Sequence, residues 1–221
     1  MTNNPQETAA AVAGHRLLIV NPNGNPEVTR LVERSARRVI GPGTSVRAVH
    51  PADSPLSIET PDDRDLAEPL AIALLRRNPG YDAYVMGCFD DIAVAGGRGA
   101  LDAPIVCAAE AAISLARLFA PRFAIVTTVQ TMVPGILSLV ASQGVADRCS
   151  VRAAGIGVAR AAAGGDETEA RLDATIRAAR EIDGAGAIIL GSGGLTGRAA
   201  GLSARHGLPR HRLDRGRRRH G

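Results

Sequence analysis

Two stretches of this chain repeat at nearly equal intervals, which restricts the fold more than any count of residue types. "RLLIVNPN", beginning at Arg16, resembles "RFAIVTTV", beginning at Arg122, 106 residues further on. "YDAYVMGCFDD" resembles "GAGAIILGSGG" and sets Cys88 against Ser192, 104 residues apart. Nearly equal offsets at the two ends of a half imply duplication, and therefore two lobes related by a pseudo-two-fold axis. Lobe 1 is expected over 16–105 and lobe 2 over 106–209, with the chain free to cross between them. A disordered leader is expected over 1–15 and a disordered Arg-rich tail over 210–221.

Between the repeats, apolar runs of strand length alternate with amphipathic segments of helix length, the pattern of parallel βα units. Strands are expected at 16–21, 45–50, 82–88, 103–108, 122–128, 150–157 and 186–192. Helices are expected after residue 25 and over 65–77, 111–119, 131–143 and 166–182. Asn25 suits a helix N-cap, Pro26 the first helical position and Glu27 the positive end of the dipole. The proline-containing stretch 51–63 reads as a loop. The expected fold class is α/β, with two doubly wound lobes built on parallel sheets.

Aromatic residues make up only 2% of the chain, so the core must be Ala, Val, Leu and Ile, and stacking on nucleic-acid bases is not its main business. The formal charge is +4, but between Arg205 and Gly221 there are seven Arg against one Asp, which leaves the remainder slightly negative. A nucleic-acid role would rest on that tail alone, and a run of arginines with no fold around it reads first as a solvated end. Three cysteines with no C-x-x-C spacing give no sign of a zinc or redox motif and fit a reducing compartment. The N-terminus lacks the basic start and long apolar run of a signal peptide, and no apolar run is long enough to span a membrane. The expected location is cytoplasmic, the expected partner is a small-molecule substrate, and a homo-oligomer is left open.

In open α/β sheets ligands sit beyond the carboxyl ends of the strands. The echoing segments place polar residues there: Asn21 and Asn23, Cys88, Thr127 and Thr128, and Ser192 with Gly193 and Gly194. A pseudo-two-fold axis brings Cys88 and Ser192 to opposite walls of one cleft. Racemisation next to a carbonyl needs a base on one face of the carbon and an acid on the other, and facing thiols supply both without metal or cofactor. Amide dipoles of a helix following Cys88 would favour its thiolate, while Asp90 and Asp91 oppose it. Position alone leaves Cys88 equally readable as a small buried hydrophobe. Cys107 and Cys149 are assigned to core packing, although Cys107 ends a strand and is placed to line the cleft.

"RLLIVNPNGN", "YDAYVMGCFDD", "PIVCAAEAA", "RFAIVTT" and "GAGAIILGSGGL" resemble, in order and spacing, the hydantoin racemase branch of the aspartate/glutamate racemase superfamily. The resemblance runs from about Arg16 to Pro209 and implies a two-lobed, cofactor-independent racemase of 5-substituted hydantoins, allantoin or related amino acids, with no metal. It places Cys88 at the first catalytic cysteine and Asn23, Thr127 and Thr128 at pocket-lining positions. Phe89 and Asp90 beside Cys88, and Gly193 and Gly194 beside Ser192, complete the candidate binding set, with Glu110 a further residue that shapes it.

Two departures stand out. The family's second catalytic cysteine is Ser192 here, and its last strand and helix give way to "RHRLDRGRRRHG", too polar for either. An alcohol, near water in acidity at pKa ~15.7, is a far weaker acid than a thiol at ~8.5. The gap costs about 10 kcal/mol in forming the anion, so Ser192 is not expected to act as the base. Donation of a proton through a bridging water, or a hydrogen bond to a ring oxygen, remains open to it.

Rival readings are a one-thiol decarboxylase or isomerase of the same superfamily and a catalytically silent ureide-binding homologue. "GSGG" does not give the G-x-S-x-G of a serine hydrolase, and "GIGVAR" lacks the third glycine of a dinucleotide fingerprint.

Overall fold

The computed structural model describes residues 14–208. The first half contains strands β1 (His15–Val20), β2 (Thr44–Val49), β3 (Ala83–Met86) and β4 (Ile105–Cys107), with helices α1 (Pro26–Arg37), α2 (Pro61–Arg76) and α3 (Val94–Arg98) between them. Helix α4 (Ala108–Phe119) leads into β5 (Phe123–Thr127), α5 (Val133–Ser142), β6 (Cys149–Ala153), α6 (Val158–Ala163), α7 (Asp166–Glu181), β7 (Ala187–Leu190) and α8 (Ala199–His206).

The strands form two separate parallel sheets, ordered β2-β1-β3-β4 and β6-β5-β7. Their registers carry the sequence echo. Leu17 pairs with Ala83 in the first sheet and Phe123 with Ala187 in the second, which are the two repeat offsets read in the sequence. Cys88 and Ser192 thus occupy matching places, each two residues beyond the end of its strand.

Local chemistry fixes the ends of the elements. Asn25 caps α1, accepting from the Glu27 and Val28 amides, with Pro26 at the first turn. Helix α2 begins at Pro61, inside the stretch expected to be loop. Thr60 accepts from the Asp63 amide while Asp63 Oδ2 accepts from the Thr60 amide, a reciprocal capping box. Short helices α3, α6 and α8 were not expected, and the strand expected at 150–157 ends at Ala153.

The expected lobe boundary at 105/106 falls within β4, whose residues all belong to the first sheet because they pair with Tyr84–Met86. The next element, α4, packs against β7, so the chain crosses to the second sheet there. One continuous core joins the halves: Leu18, Val20, Tyr84 and Met86 of the first sheet are clustered with Phe123, Ile125 and Ile189 of the second and with Ala109, Ile113 and Ala116 of α4. Glu59 ties the seam, its Oε1 accepting from the Val158 amide at 2.8 Å and its carbonyl from the Thr131 hydroxyl at 2.6 Å. The tail expectation concerns residues outside those described, as does nearly all of the expected leader.

Candidate active site

Four loops at the carboxyl ends of β1, β3, β5 and β7 supply the candidate residues. The β1 and β3 loops are neighbours, since the Gly87 amide donates to the Val20 carbonyl at 2.8 Å. In the second half the Gly191 amide makes the equivalent bond to Val126, also at 2.8 Å. Glycine at 191 follows from how closely the halves approach. A Cβ there would lie 2.6 Å from Ile125 Cγ2 and 3.2 Å from Phe89 Cδ1, so the β7 loop meets the β3 loop only without a side chain.

Cys88 and Ser192 line one cavity of about 270 Å³ together with Gly87, Phe89, Gly193 and Thr196. Its remaining wall is mostly apolar, from Ile19 and Val85 on the first sheet, Leu190 on the second, Ala108 at the start of α4, Val32 and Ala36 with Ser35 on α1, and Val39 just beyond it; among the described residues no charged side chain lines it. The Ser192 hydroxyl accepts from the Gly194 amide at 3.3 Å, capping a 3-10 turn over Gly193–Leu195. Its own proton is left for another acceptor.

Burial pushes the Cys88 thiol up to about 12, with Asp90 and Cys107 adding to the rise and Arg64 and the Phe89 amide opposing it. The helix expected to activate Cys88 is absent from its immediate neighbourhood. α3 starts six residues later at Val94, is five residues long, and follows a bend and turn. Cys107 is fully buried, its Sγ donating to the Asp90 carbonyl at 3.4 Å. Cys149 is buried too.

The other candidates fall outside that cavity. Asp90 forms an ion pair with Arg64, which also reaches Asp91 Oδ1 at 3.0 Å. With Arg64 it lines a separate cavity of about 560 Å³ bounded by Ile58, Met132 and Leu139. Burial raises the Asp90 carboxyl above the ordinary carboxylate range even though Arg64 pulls against it. Glu110 pairs with Arg98 at 2.8 Å. Gly194 is buried, with Val158 where a Cβ would go.

Asn23, Thr127 and Thr128 are buried. Thr127 Oγ1 is spent on the Gly191 carbonyl at 3.1 Å, bridging the ends of β5 and β7. Thr128 Oγ1 has no hydrogen-bond partner at 1% exposure, an orphaned polar atom of the kind a ligand or ordered water satisfies. The two threonines therefore differ in what they leave free. The α1 wall was missed from sequence because Val32 and Ala36, four residues apart, read equally as part of an ordinary helix stripe facing the core.

Among the described residues no group of three or more His, Cys, Asp or Glu side chains is placed to hold a metal ion, and no helix is long and apolar enough to cross a membrane.

Two parallel sheets sharing one core, with a thiol and an alcohol at equivalent strand ends on one cavity, define a pseudo-symmetric α/β protein whose candidate site lies where its halves meet. Residues 17–210 match the Asp/Glu/Hydantoin racemase family. A hydantoin racemase from Rhizobium meliloti is 33% identical over 86% of this chain and 80% of its own length, and one from Paenarthrobacter aurescens is 34% identical over 88% and 84%. Among solved structures, an allantoin racemase from Klebsiella pneumoniae superposes with a TM-score of 0.85 at 30% identity, covering 89% of this chain and 81% of the other. A mutant of arylmalonate decarboxylase, at 21% identity and a TM-score of 0.66 over 89% of this chain and 86% of that one, shares the fold. The chain belongs to the Asp/Glu/Hydantoin racemase family, a family of isomerases.

Proposed function

We propose that this chain is a cofactor-independent racemase acting on five-membered cyclic ureides, hydantoins or allantoin, with Cys88 as the proton-abstracting base and Ser192 on the opposite wall. The observation that carries this is the single cavity shared by Cys88 and Ser192. Its lack of charged side chains favours a neutral ring over a zwitterionic amino acid, because an unpaired charge is costly in an apolar wall. The named activities of the relatives support the same substrate class.

The Cys88 thiolate takes the proton from the carbon next to a ring carbonyl, the C–H electron pair moves into the enolate, and the charge rests on oxygen. When the Cys88 thiol exchanges its proton with solvent before returning one to the same face, the result is isotope exchange with retention. Delivery from the Ser192 side gives inversion, and Ser192 supports it only as a donor.

The experiment is exchange of the α-proton in D2O on each enantiomer of a 5-substituted hydantoin. The enantiomer that presents its proton to Cys88 is expected to exchange faster than it racemises, and its mirror image slowly; equal exchange of both enantiomers contradicts the scheme. Ser192→Cys is expected to raise racemisation, and a folded Ser192→Cys with an unchanged rate overturns the two-wall geometry. Ureide binding by thermal shift with no exchange would identify the silent homologue instead.

A further inference from the structure

Resting on the reading of the Cys88–Ser192 cavity as the substrate site, we propose that Val32, Ala36 and Val39 form a slot for the substituent on the reacting carbon, and that this slot selects rings carrying a hydrocarbon substituent over rings carrying a polar one, as allantoin does. The two halves differ at matching places. In the second half Ile125 and Ile189 are buried in one cluster with Ala109, Ile113 and Ala116 of α4, which packs against β7. Their counterparts at the repeat offsets of 106 and 104 are Ile19 and Val85. These line the cavity instead, and Val85 is only half-buried. By the repeat symmetry the cavity extends into the place that α4 fills in the other half.

That extension begins beside the thiol. A Cβ at Gly87 would lie 2.9 Å from Ile19 Cγ2 and 3.5 Å from Val32 Cγ1, so β1, α1 and the Cys88 loop meet there only without a side chain. Val32, Ala36 and Val39 follow at spacings of four and three, which sets them in line along α1 and just past its end. Val39 is 73% exposed, and the slot opens to solvent there. Ser35 and Thr196 contribute hydroxyls, but among the described residues no charged or amide side chain lines the cavity. A hydrocarbon substituent leaves water along this wall without losing a hydrogen bond. A ureido group would leave N–H and C=O groups short of partners.

The test is a series of hydantoins with methyl, ethyl, propyl, butyl or hexyl at C5, together with allantoin, bound calorimetrically to Cys88→Ala, from which the proposed base is gone. Affinity is expected to rise about 3–4-fold per methylene while the chain runs along Val32 and Ala36, and to level off once it passes Val39. Allantoin is expected to bind at least ~10-fold more weakly than 5-butylhydantoin. Equal affinity across the series, or allantoin bound as tightly as the butyl compound, overturns the proposal. So does rejection of every substituent beyond methyl, which would mean that other protein covers the slot in solution.

In protein that keeps Cys88, Ala36→Leu is expected to lower the butyl-to-methyl ratio of kcat/KM for α-proton exchange by about 10-fold or more, with the change carried in KM. Val32→Thr, which keeps the shape and adds a hydroxyl, is expected to lower the same ratio less and serves if Ala36→Leu does not fold. A folded variant with the wild-type ratio contradicts the slot. Binding that follows the series with no exchange in the wild type would sink the racemase reading and leave the slot standing. Exchange at one kcat/KM for every substituent would do the reverse, and absence of both binding and exchange overturns the two together.

Discussion

The proposed reaction requires Cys88 as a thiolate, whereas the fold holds it as a thiol. Burial outweighs the Arg64 guanidinium and the Phe89 amide, and the neighbouring Asp90 carboxylate adds to the cost of the anion. With the thiol pushed up to about 12, the thiolate fraction rises about tenfold per pH unit throughout the neutral range. The Cys88-dependent part of proton exchange, taken as wild type minus Cys88→Ala, is therefore expected to climb with that slope from pH 7 to 10 without levelling. A plateau below pH 9 would show that bound substrate or a closer approach of the halves stabilises the anion. The pairing of Cys88 with Ser192 was legible in the sequence because duplication places equivalent residues at equivalent strand ends. The fate of Asp90 was not, since its partner Arg64 lies on α2 and no local pattern links the two.

Among the elements, α2 does more than cover the first sheet. Its capping box holds the segment from which Glu59 reaches Val158 and Thr131 across the seam. Against the cost of burial, hydrogen bonds from the Glu59 amide and from the Thr60 hydroxyl and amide hold the Asp63 carboxyl below its ordinary range. Thr60→Ala is expected to cost about 1 kcal/mol, or ~2–4 °C in Tm for a chain of this size, read from urea and thermal melts. A loss below a few tenths of a kcal/mol would mean that the cap contributes nothing to the seam. "TPDD" spells this cap in the sequence, Thr60 followed three residues on by Asp63. Reading the prolines around it as loop obscured it, although Pro61 stands where a helix tolerates proline best. The longer strands and helices were readable because their apolar period is sustained. The short α3, α6 and α8 were not, because five to eight residues offer too few turns for a period to show.

At the scale of the molecule, the doubled unit leaves thiols inside both halves, a half-buried Cys88 and a buried Cys107 in the first and a buried Cys149 in the second. Burial pushes Cys149 up to about 12 as well, opposed by the Ile125 backbone, and raises Cys107. The sign for stability follows. On unfolding Cys88 and Cys149 return to their ordinary value near 9.0, so between there and about 12 the folded state holds protons that the unfolded chain has released, and Cys107 shifts in the same direction. Their contribution is complete below pH 9 and is lost as pH rises toward 12. The chain makes this measurable because it contains no lysine, whose titration would otherwise crowd that window. Unfolding free energy from urea melts is expected to be flat in this respect from pH 7.5 to 8.5 and to fall steadily from 9 to 10.5. Cys149→Ala is expected to lower stability at pH 8 through the cavity it leaves, yet to flatten the alkaline decline. A slope indistinguishable from wild type in Cys149→Ala would mean that the second half's thiol is solvated, and that the closed core joining the two sheets around Phe123 and Ile125 is looser than its packing implies.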